Sequence, residues 1–270
     1  MQPAPEREDA TPQASPAAEP LRAKPQPRND REWMAQLQSF VLTIVIAVFV
    51  ITFLVQAFEI PSESMEDTLL IGDYLLVDKA HYAPGGIWRY LLPYREIRRG
   101  EIIVFRYPVH PEEHFVKRVI GLPGDRVRLL HRHVYVNDQL LNEPYVVFKE
   151  SFPDPFRDDF PNTLADSPQT DPRWRVQLHR DVVNGELVVP PDHYFVMGDN
   201  RNQSADSRYW GLVPRENIIG RPLLIHWSVR NDSDDGAQTL DSNDKLSSWW
   251  KMLVHPLRDL RWHRMFRLVR

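Results

Sequence analysis

The sequence predicts a mainly β protein: an antiparallel β-sheet or barrel-like domain with a small inserted lobe, anchored by one N-terminal transmembrane helix. Three observations carry that expectation. No charged side chain falls between Glu32 and Glu59, and residues 40–58 are an almost continuous apolar run. Beyond it, short segments rich in β-branched and aromatic residues are separated by turn dipeptides. That pattern weakens over residues 142–181, where proline, aspartate, arginine and phenylalanine concentrate.

Residues 1–32 hold seven prolines and few large apolar residues, too little apolar surface to offset ordering entropy, and read as a disordered tail. Residues 33–58 read as the membrane helix, since about 20 residues at 1.5 Å rise span a bilayer core. Arg22, Lys24, Arg28 and Arg31 precede the run, whereas Glu59, Glu63, Glu66 and Asp67 follow it. By the positive-inside rule the tail is cytoplasmic and the domain that follows lies outside.

Residues 59–230 read as that domain. Strands are expected over 74–78, 101–107, 115–120, 126–130, 133–136, 186–189, 194–197 and 223–229, divided by Arg99-Gly100, Pro123-Gly124-Asp125 and Asn137-Asp138. No helix longer than two turns stands out there, and hairpins closing on themselves would hide the sheet edges. Residues 142–181 form the expected lobe. Residues 231–270 read as a polar linker and a basic, aromatic end, in which Trp262, Met265, Phe266 and Val269 would share one helical face suited to an anionic lipid surface.

The net charge of −4 points away from nucleic acid, and the absence of cysteine excludes a disulfide scaffold, a thiol nucleophile and a cysteine-based zinc site. Chemistry is left to hydroxyls, amines, carboxylates and imidazoles. A serine nucleophile needs a base within hydrogen-bond reach, and a lysine serves only where burial keeps it neutral. In Phe115-Val116-Lys117-Arg118-Val119-Ile120, strand alternation puts Lys117 on the face of Phe115 and Val119, with Arg118 opposite. Read alone, Lys117 is equally an edge-strand gatekeeper or an ion-pair partner, and Ser62-Glu63-Ser64 is unremarkable after an apolar run.

Read together, three ordered blocks resemble the bacterial type I signal peptidases, the serine-lysine leader peptidases. They are Ile60-Pro61-Ser62-Glu63-Ser64-Met65 with Thr68-Leu69, then residues 117–125 (KRVIGLPGD), then Gly198-Asp199-Asn200-Arg201 followed by residues 204–211 (SADSRYWG). The resemblance implies a membrane-anchored serine endopeptidase of the bacterial inner membrane, expected to be monomeric. It would remove signal peptides from exported precursors after small residues of the Ala-X-Ala type and need no cofactor. It implies Ser64 as nucleophile and Lys117 as general base. Ser62 and the Ser64 N–H would serve the oxyanion, Ser204 would hold the Lys117 amine, and Asp206 with Arg208 would support it. Phe58, Ile60, Pro61, Leu69, Phe115 and Val116 would line the pockets for the small residues. Glu63 stands where glycine is frequent and Asp67 where proline is frequent, departures that bear on loop shape and local charge.

His110-Pro111-Glu112-Glu113-His114 matches a zinc pattern that works only on a helix, and Pro111 with its strand-like flanks argues against one. No metal is expected. Two rivals share the same residues: a processing peptidase with one dedicated substrate, and an inactive β domain that escorts exported chains.

Overall fold

The structure, a computed structural model, describes residues 30–49, 55–82, 95–149, 152, 154–161, 169–230 and 260–269. The expected tail over residues 1–29 and the linker over 231–259 lie outside them.

Helix α1, Asp30–Phe49, is exposed along its length from Trp33 onward. The expected membrane helix over 33–58 is corrected at its far end, where Val55–Glu59 is strand; residues 50–54 lie outside the described residues, and among those described no helix is long and apolar enough to cross a membrane. The first turns of α1 carry Asp30, Arg31, Glu32, Gln36 and Gln38, which leaves residues 40–49 as its apolar part. The far end of the apolar run is strand, since Val55–Glu59 forms β1.

The β body contains β2 (Asp73–Asp78), β3 (Ile102–Arg106), β4 (His114–Gly121), β5 (Arg126–Leu130), β6 (His133–Val136) and β7 (Gln139–Leu140). It continues with β8 (Val182–Val183), β9 (Glu186–Val188), β10 (His193–Met197), β11 (Val213–Pro214), β12 (Ile218–Ser228) and β13 (Arg267–Leu268). Among the described residues the larger sheet runs β1-β2-β12-β3-β4-β10-β11, antiparallel at each step, with β13 also on β12. The expected strands are all present, each within about a residue or two, except that β12 starts five residues before the expected 223 and β1 was read as helix.

The barrel-like expectation holds only halfway. β1 and β11 end the path without pairing, so the sheet is open. It curls because β12 is long and irregular: its start pairs with β3 and its remainder with β2, through three register shifts. Such bulges add twist and let one strand serve two sheet directions. The curl is tight enough that Phe58 of β1 meets His114 of β4, ring centroids 5.3 Å apart. Inside it, Ile60, Met65, Leu69, Leu75, Val77, Ile102, Val104 and Ile225 form one buried cluster.

A second sheet, β7-β6-β5-β9-β8, is built from the chain between β4 and β10, two neighbours in the larger sheet. Its first hairpin turns at Asn137 and Asp138, both with positive φ, as a two-residue turn between β6 and β7 requires. Residues 142–181 contribute α2 (Pro155–Asp158) and α3 (Pro172–Asp181), and Phe160, Trp174 and Leu178 pack into the cluster over this sheet. The ten-residue α3 was not expected. Its signal was present in Asp171-Pro172: the Asp171 carboxylate accepts the N–H groups of Arg173 and Trp174, and proline suits the first helical position.

The C-terminal end also differs from its expected helical face. Trp262–Arg264 is a single 3₁₀ turn and Arg267–Leu268 is strand β13. Arg264 is buried and pairs with Asp73, which also accepts from Ser228, while Val269 enters the core. A buried ion pair fixes the register of this turn in a way helical periodicity does not represent.

Candidate active site

Between β1 and β2 the chain makes a 3₁₀ turn over Glu63–Met65. Two backbone bonds close its base, Ile60 N–H to Asp73 O at 2.9 Å and Gly72 N–H to Ile60 O at 3.0 Å. Met65 and Leu69 are sunk in the core, so Ser64 is held at the lip of the curl and is itself buried. The adjacent strand β4 presents Lys117 to it.

The Lys117 Nζ to Ser64 Oγ distance is 2.5 Å, and Ser62 Oγ lies 3.3 Å from Ser64 Oγ. Lys117 is 4% exposed, and burial pulls its pKa down to about 8, against Asp206 and Asp199, which favour the charged form, and with Arg208, which disfavours it. At that value a substantial fraction of the amine is neutral near pH 8, the state a base requires.

Behind the lysine, Arg208 grips Asp206 through Nε and Nη2, each at 2.8 Å, and also donates to the carbonyls of Arg157 and Arg201. Burial alone would raise the Asp206 pKa, but Arg208 outweighs it and the net shift is downward. The carboxylate also accepts the Gly198 N–H at 3.2 Å.

Gly198 is where two backbones close on each other. A Cβ there would lie 2.3 Å from Ser204 Oγ and 2.4 Å from the Ser64 carbonyl oxygen, so only glycine fits. Ser204 is thus beside the pair, where its hydroxyl helps to hold the Asp206 pKa down, but among the described residues the expected bond to the Lys117 amine is not formed. Lys117 gives its bond to Ser64 instead.

The loop after Gly198 braces the serine. Asn200 N–H donates to Ser64 O at 3.2 Å, and Asp199 accepts from Thr68 Oγ1 at 2.6 Å and from Arg118 through Nε and Nη2 at 2.8 and 2.6 Å. Residues 143–149 lie over this loop: Val147 exchanges backbone bonds with Asp199 and Arg201, Glu143 pairs with Arg201, and Lys149 pairs with Glu66. The Arg118 guanidinium sits 3.9 Å from the centre of the Tyr145 ring. Sequence does not point to the roles of Glu143 and Tyr145, since nothing in their local sequence marks a contact with Arg201, 58 residues beyond Glu143, or with Arg118 on β4.

A cavity of about 310 Å³ opens beside Ser64. Phe58, Ile60, Pro61, Phe115 and Val116 line it as expected, together with Met65, Val104, His114, Gln203 and Ala205, which sequence reasoning had not placed there. Leu69 is not part of the lining. Its N–H bonds to Met65 O at 2.7 Å, and the side chain is fully buried in the cluster behind. Among the described residues no group of histidines and carboxylates is arranged to hold a metal. His110 lies on an exposed turn facing Glu112, and His114 on β4 faces Phe58.

The chain has counterparts among known proteins. The family model "Signal peptidase, peptidase S26" matches residues 31–227. Signal peptidase I of Leptolyngbya laminosa is 37% identical, covering 83% of this chain and 93% of its own. Signal peptidase I of Aquifex aeolicus is 35% identical over 72% of this chain and 84% of its own, and the probable signal peptidase I-2 of Synechocystis is 34% identical over 74% and 76%. With the family model spanning most of its length and these relatives each covering more than two thirds of it, the chain belongs to the signal peptidase family, peptidase S26.

Proposed function

We propose that this chain is a membrane-anchored serine endopeptidase that cleaves N-terminal signal peptides from exported precursors after small residues, with Ser64 as nucleophile and Lys117 as general base. The observation that carries the proposal is the 2.5 Å approach of Lys117 Nζ to Ser64 Oγ in a site where burial lowers the lysine pKa to about 8.

In the neutral state of the lysine the Ser64 hydroxyl donates to Nζ. Attack of Oγ on the scissile carbonyl forms a tetrahedral adduct as the proton passes to Lys117. The Ser62 hydroxyl and the Ser64 backbone N–H face the developing oxyanion. Lys117 then returns its proton to the leaving amine, the C–N bond breaks and the mature chain departs, leaving an ester on Ser64. A water that gives its proton to Lys117 attacks that ester, the bond to Ser64 Oγ breaks as Lys117 passes the proton back to it, and the signal peptide leaves as an acid that ionises to its carboxylate. Asp206 and Arg208 hold the loop behind the amine, and no cofactor enters.

The apolar lining of Phe58, Ile60, Pro61, Phe115 and Val116 supports selection of small apolar side chains before the cut, since a cleft of this size rejects large ones by clash. The exposed apolar surface of α1, including Trp33, Phe40, Leu42, Val45 and Phe49, supports attachment to a membrane surface. The remaining expectations stand as part of the same proposal: residues 1–32 cytoplasmic and residues 59–230 extracytoplasmic, which requires the chain to cross a bacterial inner membrane between them, and a monomer.

The test is cleavage of a precursor bearing an Ala-X-Ala signal peptide by detergent-solubilised protein. Wild type is expected to cut after the second alanine, and Ser64→Ala and Lys117→Ala to lose at least about a thousandfold in rate while keeping the fold. Lys117→Arg should fail as well, because guanidinium does not deprotonate. A wild type that leaves the precursor intact, or an alanine variant with wild-type turnover, would reject the reading.

A further inference from the structure

Ala205 lines two cavities. One is the cleft beside Ser64; the other, of about 570 Å³, is lined by Tyr107, Thr170, Asp171, Tyr209 and Trp210 besides. The wall between them is aromatic. Phe115, which lines the first, stacks on Tyr107, which lines the second, with centroids 4.4 Å apart and planes 10° from parallel. Trp210 stands edge-on to both, at 6.4 Å and 5.5 Å. The second cavity therefore adjoins the site, sharing Ala205 and this aromatic wall with it.

Its chemistry differs from that of the first. Among its described lining residues Asp171 is the one charged side chain. Thr170 Oγ1 and Trp210 Nε1, on residues 5% and 6% exposed, have no hydrogen-bond partner among the described residues. Burial and then the Asp171 charge raise the Tyr107 pKa, so the phenol stays neutral and the carboxylate acts across the cavity. Aromatic faces with one carboxylate suit a cation.

The cleft beside Ser64 is lined by residues 58–61, Met65, Val104, Phe115 and Val116, together with Gln203 and Ala205. Since Ala205 belongs to both cavities, a peptide seated in the cleft by its residues before the cut can carry the residues that follow past Ala205. We propose that the Tyr107–Asp171–Trp210 cavity receives a side chain from the first few residues of the mature chain and favours lysine or arginine there over aspartate or glutamate. This rests on the reading under Proposed function.

The experiment uses the full-length protein and one Ala-X-Ala precursor with alanine at each of the first four mature positions, into which Lys or Glu is placed one position at a time. At one position wild type should cut the Lys form about tenfold faster in kcat/KM than the Glu form. Asp171→Asn keeps a side-chain oxygen for capping α3, and should bring that ratio close to one. Raised salt acting on wild type should shrink it too, which covers the case of a variant that fails to fold. Equal rates at all four positions, or a ratio unmoved by both Asp171→Asn and salt, would overturn this inference and leave the peptidase reading standing. Failure of wild type to cut the all-alanine precursor would instead reject the peptidase reading.

Discussion

Lys117 and Arg118 are neighbours on one strand, and both are buried, at 4% and 3% exposure, yet they are treated in opposite ways. Arg118 is fully compensated: two bonds to Asp199, one to the Gly100 carbonyl at 2.7 Å, and a tyrosine ring against its face. Among the described residues Lys117 has a single hydrogen bond, to a neutral hydroxyl, and its carboxylates act from further away. A buried cation given partners holds structure together; one denied them loses its proton near neutrality and becomes a base. Strand alternation separates the two roles by a single residue.

The largest effect on that comparison should come from the compensated side. Arg118→Ala strands Asp199 in the core and loosens Thr68 beside the serine, so the protein should lose about 3–5 kcal/mol of stability, read by chemical denaturation. A loss under about 1 kcal/mol would mean that the pair is not the support its geometry implies.

The uncompensated side predicts the reverse sign. The folded pKa of Lys117 is about 8 against 10.5 ordinarily. Between those values the unfolded chain binds the proton that the native state has shed, so the lysine's contribution to stability rises with pH across that window. Below about pH 8 both states are protonated and the penalty is felt in full. Lys117→Met, though inactive, should therefore be more stable than wild type at pH 7 by about 3 kcal/mol, a gain that fades towards pH 10.5. Activity of the wild type should climb with pH through about 8. A destabilised methionine variant or an acid optimum would count against a neutral lysine.

A smaller change probes the contact that brings the two loops together. Gly198→Ala puts a methyl group into space held by Ser204 Oγ and the Ser64 carbonyl. The serine should shift by a fraction of an ångström to about one, with a loss of about a hundredfold in kcat and little in KM. The least should come from Lys149→Ala, which removes a surface ion pair with Glu66. That change should alter stability by no more than about 1 kcal/mol and leave the pH profile in place.

Much of the site was legible in the chain. The strand carrying Lys117, the paired serines and the loop 198–201 lie in three short blocks, and short blocks are what sequence patterns encode. What failed was of another kind. Ser204 does not reach the lysine because the amine points at Ser64, a competition between two acceptors that no spacing reveals. Val55–Glu59 became strand β1 because Val77, Leu76 and Leu75 of β2 offered it a ladder. Leu69 left the pocket because its backbone is tied to Met65.

By itself, then, the sequence determined the mainly β class, the positions of most strands and the residues able to do serine-lysine chemistry, because side-chain periodicity and turn propensity act over a few residues. The tertiary structure decided the rest: how far the sheet curls, which cations find partners, that Arg264 locks onto Asp73, and that a second cavity opens past Ala205. Those outcomes depend on burial and on meetings between segments tens to nearly two hundred residues apart, where the free energy of a charge is set by surroundings that local sequence does not contain.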